Sequence, residues 1–425
     1  MRLCVNLISD LLRCHVSMEV EIQKVRGEAR RPSLPRWSIW LGVLLLLLLL
    51  GLIGGILFID QAPLVDAAVI WRVALGTPIL TWVMAIFIRI IAYAGYVRIA
   101  DGWDEARAED LEEKYQVGRR SLQIWDASTY TALRSEGVKS EDQVRNLLAN
   151  VRAIKSQPFR IGGGVVRHSC MDGDVDADPE QVLLQAFEQV LTDLARTLDG
   201  VADDITLKVL VEGDSQMPES TLHRIWRSAW QKSGIYQSAV IVSDAGIVAV
   251  DKWLDLGVDD DSLLLVVAYQ FAPKQSRDTA EVVVGLLLGN CNPTRSLHPI
   301  ACLHRPEFLR DSGSEVGLSV QQALEWVPIN VCSIERVWRS GIDRCHDSLV
   351  RVALASLGED GANEKYFHDL DSLLGSAGSA APWLAISLAS ESIKLGAGAQ
   401  FVIAGGSDGF IFCNCAVTPV LPDSV

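Results

Sequence analysis

The sequence predicts an α/β protein whose N-terminus carries two membrane-spanning helices. Two observations predict the helices: no charged residue occurs from Trp37 to Ile59, and only Arg89 interrupts a second apolar stretch from Val73 to Val97. A third predicts the α/β domain, because apolar runs of strand length alternate with helical periodicity from residue 161 onwards. We expect a cytosolic basic tail (1–36), a transmembrane hairpin (37–98), a juxtamembrane helical connector (99–160) and the α/β domain (161–425).

The first apolar stretch is long enough to cross a bilayer, since a helix rises ~1.5 Å per residue and the hydrocarbon layer is about 30 Å thick. It exceeds the apolar core of a signal peptide, and no small-residue cleavage site follows it. Arg89 lies near the end of the second stretch, where its side chain can reach the interface. Met18 is an alternative translation start to Met1.

The distribution of basic residues predicts the orientation of the hairpin. Seven basic residues precede the first stretch, only Arg72 lies between the two, and Arg98 and Arg107 begin a second basic group after them. By the positive-inside rule both flanks are cytosolic. The large domain is therefore predicted on the cytosolic side of a membrane.

Charge and cysteine content exclude several kinds of site. Residues 99–425 carry 28 basic and 47 acidic residues, a net charge of −19, which argues against nucleic acid as a partner. The nine cysteines are odd in number and lack C-x-x-C spacing, so we expect reduced, mostly buried side chains and no metal or other cofactor. Cys413 and Cys415 lie on one face of a predicted strand, which leaves a paired role open.

The α/β domain is predicted element by element from the periodicity of its apolar residues. Strands are predicted at Val165–His168, Leu207–Val211, Ala239–Val242, Leu263–Tyr269, Glu281–Leu288, Gln400–Ala404 and Phe410–Val417. Helices are predicted at Pro179–Leu198, Glu219–Ser233, Gly246–Leu256, Val320–Trp326, Asp343–Leu357 and Pro382–Leu395, with two or three more in residues 101–155. Both halves end with a helix and two neighbouring strands, which indicates a duplicated unit around a mostly parallel sheet.

Two segments resemble the thiolase superfamily, which includes the ketoacyl synthases and is built from two βαβαβαββ halves. The segment VSDAGIVAVDKWLDLGVDDDSLLLVVAYQ from Val242 is similar to the family's nucleophile turn, long helix and central strand. The segment LDSLLGSAGSAAPWLAISLASESIKLGAGAQFVIAGGSDGFIFCNCAV from Leu370 is similar to its C-terminal glycine-rich turn, helix and closing strands. The resemblance implies a thiolase-like fold over about residues 160–425, and it implies a homodimer.

The resemblance also implies that the catalytic machinery is lost. Condensing enzymes need a cysteine at the helix N-terminus, where the dipole lowers its pKa and backbone amides hold the oxyanion. Asp244, Ala245 and Gly246 occupy that place here. In the glycine-rich turn Gly375, Ser376 and Gly378, Ser376 stands where the family has a histidine, and His368 lies eight residues earlier.

Other motifs are interpreted as structural. His298 and His304 flank Cys302, and His346 follows Cys345, but their spacing does not present a set of metal ligands on one helix face. Asp172, Asp174, Asp176 and Asp178 alternate as in a calcium loop, yet the glycine and glutamate positions of that motif are not matched. Gly162–Gly164 lacks the residues of a phosphate loop and is interpreted as a flexible boundary.

These observations predict a membrane-anchored, non-catalytic thiolase-like protein that acts as an adaptor or chaperone for a protein partner. Its organisation is similar to that of accessory proteins of bacterial type VI secretion systems, which implies the bacterial inner membrane as its location and an effector as its partner. The alternative is an acyl-thioester or lipid-processing enzyme with Cys291 or Cys302 as nucleophile.

Overall fold

The chain divides into two units, one formed by residues 20–115 and a larger one that contains residues 116–425. The computed structural model describes residues 27, 29–33, 36–59, 66–134, 139–162, 164–171, 177–202, 205–243, 246–255, 262–290, 298–309, 316–327, 333–342, 344–357, 367–405 and 411–420.

The smaller unit holds two helices, α1 (Trp37–Ile59) and most of α2 (Ala67–Gly118), both long and apolar enough to cross a membrane. They pack as an antiparallel hairpin, as predicted. The Trp82 indole N–H donates to the Trp40 carbonyl over 2.7 Å. Further along, a Cβ on Gly51 would lie 2.1 Å from the Ala74 carbonyl oxygen, so the absent side chain lets the backbones approach closely.

Among the described residues, the larger unit contains fourteen strands and eight helices in addition to the end of α2. The strands are β1 (Ser121–Thr131), β2 (Lys155–Pro158), β3 (Val165–Ser169), β4 (Leu207–Ser215), β5 (Ala239–Ile241), β6 (Leu263–Phe271), β7 (Thr279–Ala280), β8 (Val282–Gly289), β9 (Ala301–His304), β10 (Glu307–Leu309), β11 (Ile334–Ser340), β12 (Phe367–Asp369), β13 (Ala399–Ala404) and β14 (Phe412–Pro419). The helices are α3 (Ser140–Leu148), α4 (Pro179–Leu198), α5 (Glu219–Lys232), α6 (Val248–Asp255), α7 (Val316–Glu325), α8 (Arg344–Leu357), α9 (Leu370–Leu373) and α10 (Ala381–Lys394).

The main sheet has the strand order β12-β11-β13-β14-β9-β1-β8-β6-β4-β5, with β10 paired to β14. Its two ends repeat one pattern. In one half β4 is parallel to β5 and β6, and β6 is antiparallel to β8; in the other half β11 is parallel to β12 and β13, and β13 is antiparallel to β14. The repeat confirms the predicted duplicated α/β unit.

The helical interpretation of the connector is wrong over Ser121–Thr131, which forms β1 near the middle of the main sheet. This strand pairs antiparallel with β8 and β9 and is largely buried. Its alternating side chains form contacts with strands that lie more than 150 residues away in sequence, so local periodicity is a poor guide there. The expected helices are otherwise the continuation of α2 to Gly118 and the short α3.

The predicted strand at Val165–His168 exists as β3, but it lies outside the main sheet. It pairs with β2 and β7 in a separate three-stranded sheet. Three of its five residues are exposed or half-buried, as expected for a strand that is not covered on both faces. Gly162 and Gly164 belong to the turn between β2 and β3, where the Phe159 N–H donates to the Gly164 carbonyl over 2.7 Å. These two glycines serve a tight turn rather than a flexible boundary.

The other predicted elements follow the predictions closely, whereas the short or partly polar strands β2, β7, β9, β10, β11 and β12 were not predicted. Helix α4 begins and ends at the predicted residues, and Asp178 caps it by accepting the Glu180 N–H. The closing strands β13 and β14 form the expected antiparallel pair. Helix α10 is buried from Ala381 to Ile393, polar residues such as Glu391 included, and it packs on β1, β8 and β13.

Candidate functional site

Strands β4 and β6 are parallel neighbours in the main sheet. The two turns that the resemblance assigns to catalysis lie near the carboxyl ends of these strands. Gly246 precedes α6, and Gly375, Ser376 and Gly378 precede α10. Asp244 and Ala245 lie outside the described residues. In open α/β sheets the carboxyl ends of the strands are the usual place for a ligand, so we describe this edge as the candidate site.

Glu212, on β4, connects the turn before α6 with helix α10, which follows the glycine-rich turn. Its carboxyl group accepts the Gly246 backbone N–H over 2.5 Å and also accepts the indole N–H of Trp383, in the first turn of α10. Trp383 is fully buried, so its N–H needs an acceptor inside the protein. The carboxyl group therefore occupies the Gly246 backbone donor at the turn that precedes α6.

Gln270, on β6, fixes the glycine-rich turn. Its side-chain amide donates to the carbonyl groups of Ala280 (2.8 Å) and Ser376 (2.7 Å). Gly378 has φ +56°, and a Cβ there would lie 2.1 Å from Gln270 Oε1. Gly375 has φ +104°, and a Cβ there would lie 2.5 Å from the Thr279 carbonyl group. Both glycines are required by conformation and by close packing.

Ser376 is held by its backbone rather than by its side chain. Its N–H donates to the Asp278 carbonyl over 2.8 Å, and its carbonyl accepts the Ala280 N–H over 2.9 Å. The turn thus extends the small sheet beyond β7. The Ser376 hydroxyl lies 3.5 Å from the Gly378 N–H. A serine hydroxyl does not titrate near neutral pH and cannot replace the protonated or neutral imidazole of a histidine.

His368 lies on β12, at the opposite end of the sheet order from β5. Its ring packs on Trp338 with 4.9 Å between the ring centroids. Burial, with Arg336 nearby, lowers the pKa of His368. These contacts assign the imidazole a packing role in the second half of the sheet.

A second polar cluster adjoins the glycine-rich turn and was not predicted. Arg160 donates to both carboxyl oxygens of Glu281 over 3.2 Å, and this carboxyl also accepts the Met171 N–H. The Cys170 thiol lies 3.3 Å from His168 Nε2, and His168 Nδ1 lies 3.2 Å from the Val166 carbonyl. With the proton on Nδ1, His168 accepts the thiol proton. His168 lies on β3 and Cys170 follows one residue after the strand ends, and a two-residue spacing in extended backbone places side chains on one face, which is the signal that could have found this pair.

The chemistry of this pair is that of a neutral thiol. His168 is fully buried and Cys170 is 3% exposed. Burial and the nearby Glu281 carboxylate raise the pKa of Cys170 to about 12. A thiol must ionise to act as a nucleophile, so the geometry alone does not make Cys170 reactive.

The other sites weighed from the sequence have structural surroundings. Burial raises the pKa of Cys302, which lies on β9, whereas Cys291 lies outside the described residues. Burial lowers the pKa of His304 to about 4, and its Nε2 lies 3.0 Å from the Thr418 hydroxyl. Cys413 and Cys415 are buried core residues with free thiols. His298 is exposed, and the described part of the chain contains no group of three metal-ligating side chains.

Three sets of predicted residues lie wholly or partly outside the described residues. They are Asp172, Asp174 and Asp176 of the calcium-like run, Phe410 at the start of the predicted strand Phe410–Val417, and the side chain of Cys345.

Comparison with known proteins identifies the fold but no sequence relative. No family model matches the chain, and no curated protein is significantly similar to it. The ishigamide ketosynthase/chain length factor matches over 71% of this chain and 100% of its own, with 13% identity and a TM-score of 0.50. A ketosynthase from module 6 of the bacillaene synthase of Bacillus subtilis 168 matches over 72% and 73%, with 11% identity and a TM-score of 0.50. The larger unit therefore has the thiolase-like fold, as predicted, while these identities leave its chemistry to its own residues.

Proposed function

We propose that this chain is a membrane-anchored, non-catalytic thiolase-like protein that acts as an adaptor or chaperone for a protein partner. Its large domain lies on the cytosolic side of a bacterial inner membrane. An effector of a type VI secretion system is the partner that its organisation favours.

The contact between Glu212 and the Gly246 amide is the observation that carries the proposal. Acyl transfer needs backbone donors that are free to bind the negative charge that develops on the substrate oxygen. Here a carboxyl group of the protein already accepts the Gly246 N–H over 2.5 Å.

The lost general base supports the same conclusion. Ser376 stands at the histidine position of the glycine-rich turn, and His368 is packed against Trp338. Among the described residues at this edge of the sheet, Glu212 and Gln270 are the side chains that hold the two turns, and both act as hydrogen-bonding supports.

The smaller unit supports insertion into a membrane. Helix α1 contains no charged residue, and most of its large apolar side chains are exposed. Such a surface is unfavourable in water but is satisfied by lipid. The basic residues that flank the hairpin favour the cytosolic side for both of its ends.

An exposed edge of the main sheet supports a protein partner. Strand β5 is the last strand at its end, and all three of its residues are exposed. Ile241 is 75% exposed, Val240 is 52% exposed, and Tyr236, just before the strand, is 81% exposed. An edge strand with apolar side chains can accept an added strand from another protein. A second copy of this chain is one such partner, which would form the homodimer that the resemblance implies.

The rival function is an acyl-thioester or lipid-processing enzyme. Of its two candidate nucleophiles, Cys291 lies outside the described residues, and Cys302 is half-buried with a pKa that burial raises. The pair of Cys170 and His168 is the observation that favours this function, because 3.3 Å separates the thiol sulfur from a proton-accepting nitrogen. The burial of this pair argues against catalysis, because the thiol stays protonated. Covalent acylation of a cysteine would decide for the enzyme.

Affinity purification from native membranes in mild detergent, with mass spectrometry of the proteins that co-purify, tests the proposal. We expect one stoichiometric effector, toxin or secretion component. Ile241→Asp should reduce its recovery, whereas Val352→Asp, which places the same charge at another exposed apolar side chain (68% exposed, on α8), should not. Recovery of acyl carrier protein, or of an acylated cysteine on the chain, would overturn the proposal. Recovery of untagged copies of the chain would identify the homodimer.

A further inference from the structure

The smaller unit contains an open cavity of ≈ 320 Å³ beside α2. The N-terminal segment contributes Ala29, Arg30 and Pro32 to its wall, and α2 contributes Tyr96, Ile99, Ala100 and Trp103. Its volume is within the range of about 300–1,000 Å³ that is typical of small-molecule sites. The lining is mainly apolar and aromatic, with the Arg30 guanidinium as its cationic group.

The cavity lies at the place where α2 changes from apolar to charged. Tyr96, Ile99, Ala100 and Trp103 are spaced three and four apart and form one face of the helix. Arg98 and Asp101 lie within the same two turns, so this is the expected level of the membrane interface. Tyrosine and tryptophan are enriched at that level because they have an apolar body and a polar tip.

The N-terminal segment is fixed against this face by polar contacts. The Ala29 N–H donates to the Asp104 carboxyl over 2.9 Å, and Arg31 lies 3.7 Å from both Asp101 and Asp104. Arg31 thereby pairs with both aspartates next to the cavity, and its one positive charge offsets one of their two negative charges. Arg30 remains exposed and lines the cavity itself, where it can bind a phosphate through two parallel N–H donors.

We propose that this cavity binds one anionic phospholipid of the cytosolic leaflet. Arg30 binds the phosphate, Tyr96 and Ile99, which are 61% and 70% exposed, contact the start of an acyl chain, and Trp103 contributes to the wall. The inference rests on the proposed membrane insertion and cytosolic tail. It goes beyond them, because it assigns a specific lipid site to the juxtamembrane segment rather than a general attraction to a negative surface.

Lipid retention by the full chain tests the proposal. The chain is reconstituted in vesicles of equal parts phosphatidylglycerol and phosphatidylcholine, purified in mild detergent, and its bound lipids are extracted and quantified by mass spectrometry. We expect phosphatidylglycerol to be retained over phosphatidylcholine. Arg30→Gln should lower this retention roughly tenfold, and Ala100→Trp should lower it by filling the cavity. Arg36→Gln, which removes the same charge from the same tail outside the cavity, should not.

Each other outcome overturns the lipid site. Equal loss in Arg30→Gln and Arg36→Gln would mean general electrostatic attraction. Equal retention of the two lipids would mean solvation by the bilayer. Displacement by soluble glycerophosphate would mean that the ligand is a free phosphate compound. Resistance of the chain to alkaline extraction from membranes is measured in parallel, so that a failure of membrane insertion is distinguished from a failure of the site.

Discussion

Glu212 accepts the backbone N–H of Gly246 over 2.5 Å, at the turn that opens α6. The same carboxyl group accepts the Trp383 indole N–H from α10, the helix that follows the glycine-rich turn. One acidic side chain thus joins the turn before α6 to helix α10, next to the two turns that the resemblance assigns to a nucleophile and a histidine. At this edge of the sheet the Glu212 carboxyl group therefore has a structural role.

The variant Glu212→Gln tests whether these two hydrogen bonds stabilise the fold. An amide offers one acceptor oxygen where the carboxylate offers two, so one of the two donors should lose its partner. We expect a loss of about 1–3 kcal/mol in unfolding free energy. Denaturant unfolding of the full chain in detergent, followed by intrinsic fluorescence, measures it. Glu212→Gln, Trp383→Phe and the double variant form a cycle, and strictly additive effects would contradict a direct bond between the two side chains.

Gly375→Ala should be destabilising for two separate reasons. The position has φ +104°, and a Cβ there would meet the Thr279 carbonyl group at 2.5 Å. We expect a loss of about 2–4 kcal/mol. Gly317→Ala is the control, because it lies in helix α7 with open space around it and should be neutral or stabilising by up to about 1 kcal/mol. Equal thermal shifts in the two variants would refute the close approach of the turn to Thr279.

Glu391 predicts a pH dependence of stability. Burial raises the pKa of this carboxyl to about 8, despite the Ser140 hydroxyl that donates to Oε1 and the nearby Arg134 and Lys394. Its other oxygen is buried with no hydrogen-bond partner. The folded state therefore retains a proton that the unfolded chain releases near pH 4.5. This contribution to stability is fully present below pH 4.5 and is lost as the pH rises to about 8.

Glu391→Gln should remove that dependence, since the amide stays neutral at every pH. We expect the variant to gain stability relative to the wild type between about pH 5 and pH 8. Thermal unfolding across this range measures the difference, and Glu219→Gln serves as an exposed control. A constant difference between wild type and Glu391→Gln over the whole range would show that the carboxyl is not protonated in the folded chain.

The reactivity of the cysteines separates a binding protein from a thiol enzyme. Cys170, Cys413 and Cys415 are buried, and burial raises the pKa of Cys170 to about 12 and that of Cys415 well above its ordinary value. We expect all three to react slowly with iodoacetamide at neutral pH in the folded chain and at ordinary thiol rates after denaturation. Alkylation followed by peptide mass spectrometry gives the rate at each cysteine. A single fast thiol that His168→Ala slows would favour the enzyme.

The sequence predicted those parts of the fold whose signals are local. Helix α4 has a capping aspartate, a proline in its first turn and a regular apolar stripe, and both of its ends were correct. Strand β6 is a continuous apolar run that is buried on both faces. Strand β1 was assigned to a helix because its burial depends on β8 and β9, far along the chain. Strand β11 was missed because four of its seven residues are half-buried and several are polar or charged.

In the candidate site, too, residues in local sequence motifs could be predicted, whereas contacts between distant residues could not. Gly246 and the turn at 375–378 were singled out because the resemblance to condensing enzymes lies in those local segments, and their equivalence to the catalytic positions stays a prediction. Glu212 could not be found, because its role exists only once the fold brings it to Gly246, 34 residues away, and to Trp383, 171 residues away. The contact between His168, on β3, and Cys170, just after it, was overlooked, although the two-residue spacing is visible in the sequence.

Native mass spectrometry of the full chain, purified from its own membranes and then exposed to acyl-coenzyme A thioesters, tests the central claim most directly. It reports covalent acylation and bound partner proteins in one spectrum. The account predicts an unmodified chain mass with one stoichiometric partner protein, in the presence or absence of the thioester. A chain that gains the mass of an acyl group on a cysteine, and carries no partner protein, would contradict it.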